Sequence, residues 1–392
     1  MDHVVIVGGG LAGHRALQAL REFEGKVTLV SGEEHKPYDR PPLSKQVLLG
    51  DMEADDLFFK VSDLEEGIDI EWKLGSAASA LDTDKQVVTL ENDEEVPYDG
   101  LVIATGRRAR PWPDLPELDG FHTLRDIDDT LAFKQEALER DHVVIVGAGF
   151  IGCEVAASLR KHGVEHVTVV EMADQPMPPV GPEAGAFAQK FHEEQGVTFK
   201  LGAKVTGFAG EDGKVSAVEL EGEDPIKAET VLLALGSIPN SEWLEDSAVE
   251  LDSGNVVADE YLFAAPNVVV AGDIASWAHP HSELDHGRVC IEHWTTSREM
   301  AKAAVTNLLA AEDERKPFQT VPTFWSDQYD VKIKSAGYLK SADRYEVVEE
   351  DPEKQRMVIE AFRGDELVGA IVFNKNKAFI GYQRQLRDTL AS

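Results

Sequence analysis

One stretch of this chain occurs twice. Residues 3–13 read HVVIVGGGLAG and residues 142–152 read HVVIVGAGFIG. Each copy is followed by a helix-length stretch and then, at nearly the same spacing, by a second apolar run, VTLV at 27–30 and VTVV at 167–170. Each half later offers an apolar strand running into glycine, LVIATG at 101–106 and VLLALG at 231–236. A repeat this long is a duplicated domain, because solenoid units recur every ~20–50 residues. Strand, glycine turn, helix and strand in that order is the βαβ unit of a doubly wound parallel sheet, so an α/β fold is expected.

The glycines carry the first chemical statement. Gly8, Gly10 and Gly13 stand between an apolar strand and a helix, as do Gly147, Gly149 and Gly152. In such a turn the first glycine permits the bend, the second lets backbone approach a pyrophosphate, and the third lets helix and strand pack closely. The phosphates then lie on free N–H groups at the helix start, which Ala12 occupies in one copy and Phe150 and Ile151 in the other. Thr105, Gly106 and Gly236, where the later strands end, join the candidate cofactor-binding set. Two dinucleotide sites are expected. In the second copy Glu171 directly follows the second strand, placed to bond both adenosine ribose hydroxyls and repel a 2′-phosphate; no arginine follows in Met172-Ala173-Asp174. NADH is therefore expected over NADPH. The first copy has Ser31 at that position, and Glu33 is the nearest acid, assigned to the ribose of the other dinucleotide.

Between these landmarks the chain reads as antiparallel and turn-rich, at 86–90 before Asn92-Asp93 and at 214–220 after Glu211-Asp212-Gly213. Pro111, Pro113 and Pro116 mark a crossing into the second domain. After Pro322 alternating strands at 331–333, 345–348 and 357–361 suggest a small α+β domain. The net charge is −34, which argues against nucleic acid and anionic membranes as partners. The charge is uneven: residues 320–392 hold 11 Lys+Arg and 12 Asp+Glu, a net of −1, leaving −33 on the first 319. An acidic protein would meet least repulsion on that last segment. No run of about 18 apolar residues suggests a membrane span. With no basic segment or cleavage site before the first strand, a signal peptide is not expected. Two distant cysteines, Cys153 and Cys290, fit a reducing cytoplasm.

Residues 37–45, PYDRPPLSK, bring in a family. The segment resembles the signature of NADH-dependent ferredoxin reductases that serve Rieske oxygenases and cytochrome P450 systems, a group related to rubredoxin reductases. Leu124-Arg125, residues 147–154, Ile238-Pro239-Asn240, Ala271-Gly272-Asp273, Glu292-His293-Trp294 and residues 324–329 (FWSDQY) extend the likeness along nearly the whole chain. The resemblance implies two Rossmann-like, glutathione-reductase-like domains and a C-terminal one. FAD would be bound by 1–112 and 243–320, NADH by 113–242, and 321–392 would form an interface domain. It further implies that Asp273 bonds the FAD ribitol, that Arg40 and Arg125 meet FAD polar groups, and that Ala78 offers backbone to the adenine side. Lys45 would lie beside the isoalloxazine, paired with Glu154. A helix starting at about Thr295 would aim its N-terminus at the flavin, with Trp294 giving a backbone N–H, and Trp325 and Phe324 would pack nearby. Lys332-Ile333-Lys334 is more basic than in many relatives.

Electrons must then leave. Disulfide reductases of this fold use a cysteine pair shortly after the first βαβ strand, and peroxide-forming or coenzyme-A-linked oxidases use one cysteine there; residues 38–43 have none. Cys153 and Cys290 are read as structural. The expected partner is an external [2Fe–2S] ferredoxin, with rubredoxin as the alternative, docking near the flavin edge and the C-terminal domain. Two competing readings are a flavin-based redox sensor like apoptosis-inducing factor and an NADH oxidase without a redox cysteine. His279, His281 and His286 lie in a loop without a fourth convergent group, so no metal site is expected.

Overall fold

The computed structural model describes residues 1–279 and 287–390. Both copies of the repeated motif build the same frame. Strands His3–Val7 and His142–Val146 pair with their successors in one register: His3 faces Lys26 and Val7 faces Val30, while His142 faces His166 and Val146 faces Val170. Unbroken valine and isoleucine suit strands covered on both faces, and Val4, Val5, Ile6, Val143 and Ile145 are wholly buried.

Across the first sheet the order is Phe263–Ala265, Val268–Val270, Gly100–Ile103, His3–Val7, Lys26–Ser31 and Asp69–Leu74. Across the second it is Val197–Lys200, His166–Val170, His142–Val146, Thr230–Leu233 and Phe121–His122. The second sheet is parallel throughout, and the first is parallel except at its edge strand Phe263–Ala265. In both, the motif strand sits between its successor and the strand that runs into glycine. Strand order reverses there, and a ligand crevice opens outside the carboxyl ends. The glycine-ended strands stop at Ile103 and Leu233, earlier than the apolar runs suggest, which frees the following residues to line that crevice.

Each doubly wound sheet carries a three-stranded antiparallel one, at Ala78–Asp82, Val87–Leu90 and Glu95–Pro97 and again at Val205–Glu211, Lys214–Leu220 and Ile226–Lys227. The segments joining the two halves pair with each other: Arg107–Ala109 runs antiparallel to Ser237–Pro239. Thr105 Oγ1 donates to the Asn240 carbonyl at 2.8 Å, and Asn240 Nδ2 donates back to the Thr105 carbonyl at 2.9 Å.

The C-terminal region is a five-stranded antiparallel sheet, ordered Thr323–Gln328, Val331–Gly337, Glu366–Phe373, Arg356–Arg363 and Arg344–Asp351, with the helix Asn376–Leu390 after it. Ile333, Ile359 and Phe373 share one core with Val155, Leu159 and Phe187, from helices Phe150–His162 and Pro182–Glu194. That shared core brings the strand Thr323–Gln328 beside the second glycine turn. No described helix is long and apolar enough to cross a membrane.

Candidate active site

A cavity of about 1320 Å³ is reached by both glycine turns, through Gly10 and Ala12 from one and Gly149, Phe150 and Ile151 from the other. The glycines divide their work identically in the two copies. Gly8 has φ +127° and Gly147 φ +108°, and a Cβ on them would stand 2.0 and 2.3 Å from the carbonyl oxygens of Ala104 and Ala234. A Cβ on Gly13 or Gly152 would stand 1.9 or 2.1 Å from the carbonyl oxygen of Gly8 or Gly147. These four have no room for a side chain. Gly10 and Gly149, by contrast, would meet nothing within 4 Å, so their missing side chains leave the space a pyrophosphate needs. The helices that begin there, Leu11–Ala19 and Phe150–His162, have no side-chain cap and no acid in their first turn. Their first N–H groups are left for an anion. Both turns therefore fit a dinucleotide.

Seventeen of the expected site residues line this one cavity. Gly8, Gly13, Gly147 and Gly152 stand behind its wall as packing positions, and Glu171 stands off it. The Glu171 carboxylate accepts from the backbone N–H groups of Ala148 at 2.8 Å and Ala173 at 3.0 Å, tying the strand end to the second glycine turn. Glu33 is on the wall. Tyr38 donates to one of its oxygens at 2.6 Å and Arg40 to the other, while Arg40 Nη1 reaches the Arg125 carbonyl at 2.7 Å. Burial opposes the Arg40 charge, but Glu33 overcomes it and the guanidinium is held above its ordinary value.

Lys45 and Glu154 meet. The ammonium lies 2.7 Å from Glu154 Oε2, with both side chains largely buried, and Ser44 Oγ donates to the same oxygen at 2.5 Å. Farther along the wall, Asp273 Oδ1 accepts from Ser297 Oγ at 2.8 Å, and its other oxygen is 3.5 Å from Arg125. The helix at this end runs Trp294–Leu309, one residue earlier than Thr295, so the Trp294 N–H belongs to its free first turn. Its cap residue His293 is held neutral, its pKa pushed down to about 4 chiefly by burial. His293 Nδ1 is buried with no hydrogen-bond partner among the described residues, an orphan that suits a cavity built for a polar ligand.

Some of this was not anticipated. The Trp294 side chain is engaged as well as its backbone: Nε1 donates to Asp39 at 2.8 Å, and the ring meets that of Trp325 edge-on at 5.8 Å. Arg15 and Arg298 lie over the Trp294 ring at 5.9 and 5.6 Å from its centroid. Trp325 is 37% exposed. Phe324 stands against Phe150 at 4.7 Å. Cys153 is wholly buried, but Cys290 reaches the cavity wall. Burial pushes the Cys290 thiol up to about 11, so it is no thiolate at neutral pH. His279 lies beside Tyr338, whose hydroxyl is 2.7 Å from Nε2; His281 and His286 fall outside the described residues.

Two phosphate cradles opening on one cavity, with a buried lysine–glutamate pair on its wall, define an oxidoreductase that brings two dinucleotides together. Residues 2–301 match the family described as pyridine nucleotide-disulphide oxidoreductase, and residues 323–391 match the reductase C-terminal family. The chain belongs to the pyridine nucleotide-disulphide oxidoreductases. Putidaredoxin reductase of Pseudomonas putida is 33% identical over 352 residues, covering 88% of this chain and 82% of that protein. The ferredoxin–NAD(+) reductase component of the anthranilate 1,2-dioxygenase system of Burkholderia cepacia is 31% identical over 396 residues, covering 98% and 94%. The solved covalent putidaredoxin reductase–putidaredoxin complex superposes with a TM-score of 0.91 at 30% identity, over 99% of this chain and 93% of that one.

Proposed function

We propose that this chain is an NADH:ferredoxin reductase, which passes a hydride from NADH to FAD and then single electrons to a [2Fe–2S] ferredoxin that feeds an oxygenase or cytochrome P450. Rubredoxin is the alternative carrier. The observation that carries the reading is that both glycine turns open on the cavity where Lys45 and Glu154 pair. In this reading residues 1–112 and 243–320 hold FAD, 113–242 hold NADH, and 321–392 form the interface domain.

Gly10, Ala12, Glu33, Arg40, Ala78 and Asp273 hold the flavin dinucleotide; Gly149, Ile151 and Glu171 hold the nicotinamide one. FAD, when bound, supplies the ability to take two electrons together and release them singly. The chain's own part is positioning and charge. The Lys45 ammonium, oriented by Glu154, and the N-terminus of helix Trp294–Leu309 both favour the negative charge that reduction brings. The helix end alone contributes about 0.3–2 kcal/mol.

Electrons leave beside Trp294 and Trp325. On a chain of net charge −34, Arg15 and Arg298 around Trp294 offer a cationic spot that an acidic carrier protein would meet. The protonated Cys290 thiol and the cysteine-free segment 38–43 speak for direct transfer over a thiol relay. Two unpaired cysteines support placement in the cytoplasm. The test is anaerobic mixing of the FAD-loaded protein with NADH, followed by steady-state reduction of candidate [2Fe–2S] proteins. Loss of the yellow band and carrier-dependent turnover are expected. Protein that takes up no flavin, keeps its colour with NADH, or turns over only with oxygen overturns the reading.

A further inference from the structure

A line of buried polar side chains runs into Glu154 from the side away from Lys45. Ser326 Oγ donates to Glu154 Oε1 at 2.7 Å, and Gln328 Nε2 donates to Ser326 Oγ at 3.0 Å. His192 Nε2 lies 2.8 Å from Gln328 Oε1, and the Tyr329 hydroxyl lies 3.3 Å from His192 Nδ1. Ser326, Gln328 and His192 are fully buried.

The chemistry of each member fixes the next. A carboxylate only accepts, so the Ser326 hydroxyl must give its proton to Glu154 and accept from the Gln328 amide nitrogen. Gln328 then turns its carbonyl to His192, which must carry its proton on Nε2 and accept from Tyr329 on Nδ1. Burial drives the His192 pKa down to about 4, so the ring stays neutral and this tautomer persists at working pH. Each link of the line donates toward Glu154, while Gln328 Nε2 also reaches Met177 Sδ at 3.4 Å. A core holds such a line at a desolvation cost, and apolar residues of similar shape would fill the space as well or better. What apolar residues could not do is satisfy the third hydrogen bond of a buried carboxylate.

We infer that Ser326, Gln328 and His192 are positioning residues: they hold the Glu154 carboxylate turned toward Lys45, so the C-terminal sheet sets the geometry of hydride transfer. This rests on the reading that Lys45 and Glu154 serve the cofactors. The strand Thr323–Gln328 is well placed for the task. Phe324, Ser326 and Gln328 alternate onto the face that meets Phe150, Glu154 and His192, while Trp325 points to the exposed cavity mouth. One strand thus serves both the two-electron site and the proposed exit.

The charged and titratable groups facing Glu154 are Lys45, from the segment Leu43–Val47, and Cys153 on its own helix, whose thiol is pushed up by burial and then by Glu154. Ser326→Ala should leave Kd for FAD and NAD+ within about twofold and slow flavin reduction at saturating NADH by about tenfold, the cost of a bond to a charged group. The loss should fall on the limiting rate of reduction while the NADH concentration for half-maximal rate stays within about twofold, a split that a merely structural role would not give. Ser326→Thr, which keeps a hydroxyl, should restore the rate. Gln328→Met, which shortens the line one step farther out, should give the same signs at smaller size and serves if Ser326→Ala does not fold. An unchanged reduction rate in the alanine variant, with only a lower Tm, would reduce the line to scaffolding and overturn the inference. If Glu154→Gln slows reduction and Ser326→Ala does not, the inference alone falls; if Glu154→Gln is as fast as the unsubstituted protein, the role of the pair falls with it.

Discussion

The two glycine turns are near copies in backbone and unlike in what surrounds them. Both have a first glycine at positive φ under a neighbouring carbonyl, an open second glycine, and a third pressed on the first. Around the first turn the wall is drawn from distant segments: Glu33 is fastened by Tyr38 and Arg40, and Arg40 by Arg125. Around the second, Glu171 is fastened by backbone N–H groups, of Ala148 in the glycine turn and of Ala173, and Ile151 is 42% exposed. An enclosed cradle suits a cofactor that stays, and an open one suits a substrate that exchanges. The difference teaches that the duplicated frame supplies phosphate binding, while residence time is set by what the intervening segments add.

The largest expected effect comes from closing the cradles one at a time. Gly8→Ala forces a Cβ into the Ala104 carbonyl at positive φ and should abolish FAD retention, read as a colourless purified protein. Gly147→Ala should keep the flavin and weaken NADH binding by at least about a hundredfold. If both lose flavin equally, the two cradles are not separable.

Lys45→Ala comes next. It should retain FAD and slow reduction by NADH by about fiftyfold in stopped-flow mixing, since it removes the cation and leaves Glu154 buried and unpaired. An unchanged rate would make the pair structural.

A third contrast lies just after each third glycine, where the first copy has His14 and the second Cys153, both buried. His14 stacks on Phe59 at 4.3 Å, and burial, then Arg15, push its pKa down to about 4. The sign follows from linkage. The unfolded chain protonates near pH 6.5 and the folded one does not until about 4, so stability falls as pH drops through that window. His14→Cys should remove about 2 kcal/mol of the loss between pH 7 and 5 in urea titrations, with His192 and His293 still contributing.

The fourth effect concerns coenzyme choice. Glu171→Ala should narrow the NADH-over-NADPH preference by about tenfold in kcat/KM, with flavin content unchanged. Loss of flavin instead would show that Glu171 braces the fold rather than reading the ribose.

How much of this was legible depends on sequence distance. The repeat, the glycines and both parallel sheets were readable because strand, turn and helix signals are local, and the βαβ rule supplies the pairing. Glu154 and Lys45 sit 109 positions apart and were joined only by family likeness. Ser326 reaches Glu154 across 172 positions, and Trp294 reaches Asp39 across 255. Nothing in local pattern marks such partners, because they meet only once the three sheets have packed. Residues 324–329 were legible only as a family motif, and neither the strand Thr323–Gln328 nor its inward face was marked by local pattern. Cys290 shows the converse: read from the sequence as structural, it is brought by folding to the cavity wall.

The smallest effect probes the cavity mouth, where the first cradle's helix and the helix Trp294–Leu309 each lend one arginine to the same ring. Arg298 is exposed and Arg15 partly so, with burial and then Arg298 lowering the Arg15 pKa. Two like charges held this close carry a cost that an approaching acidic protein would relieve. Replacing Arg298 with glutamate should raise KM for an acidic [2Fe–2S] ferredoxin by about fivefold at low salt and by less at high salt. Turnover with ferricyanide should not fall, because it depends on flavin reduction and not on protein docking. If instead Arg298→Glu lowers ferricyanide turnover as much as ferredoxin turnover, the arginines serve the first cradle's hold on its cofactor. The exit would then have to be sought on the exposed Lys332 side of the C-terminal sheet.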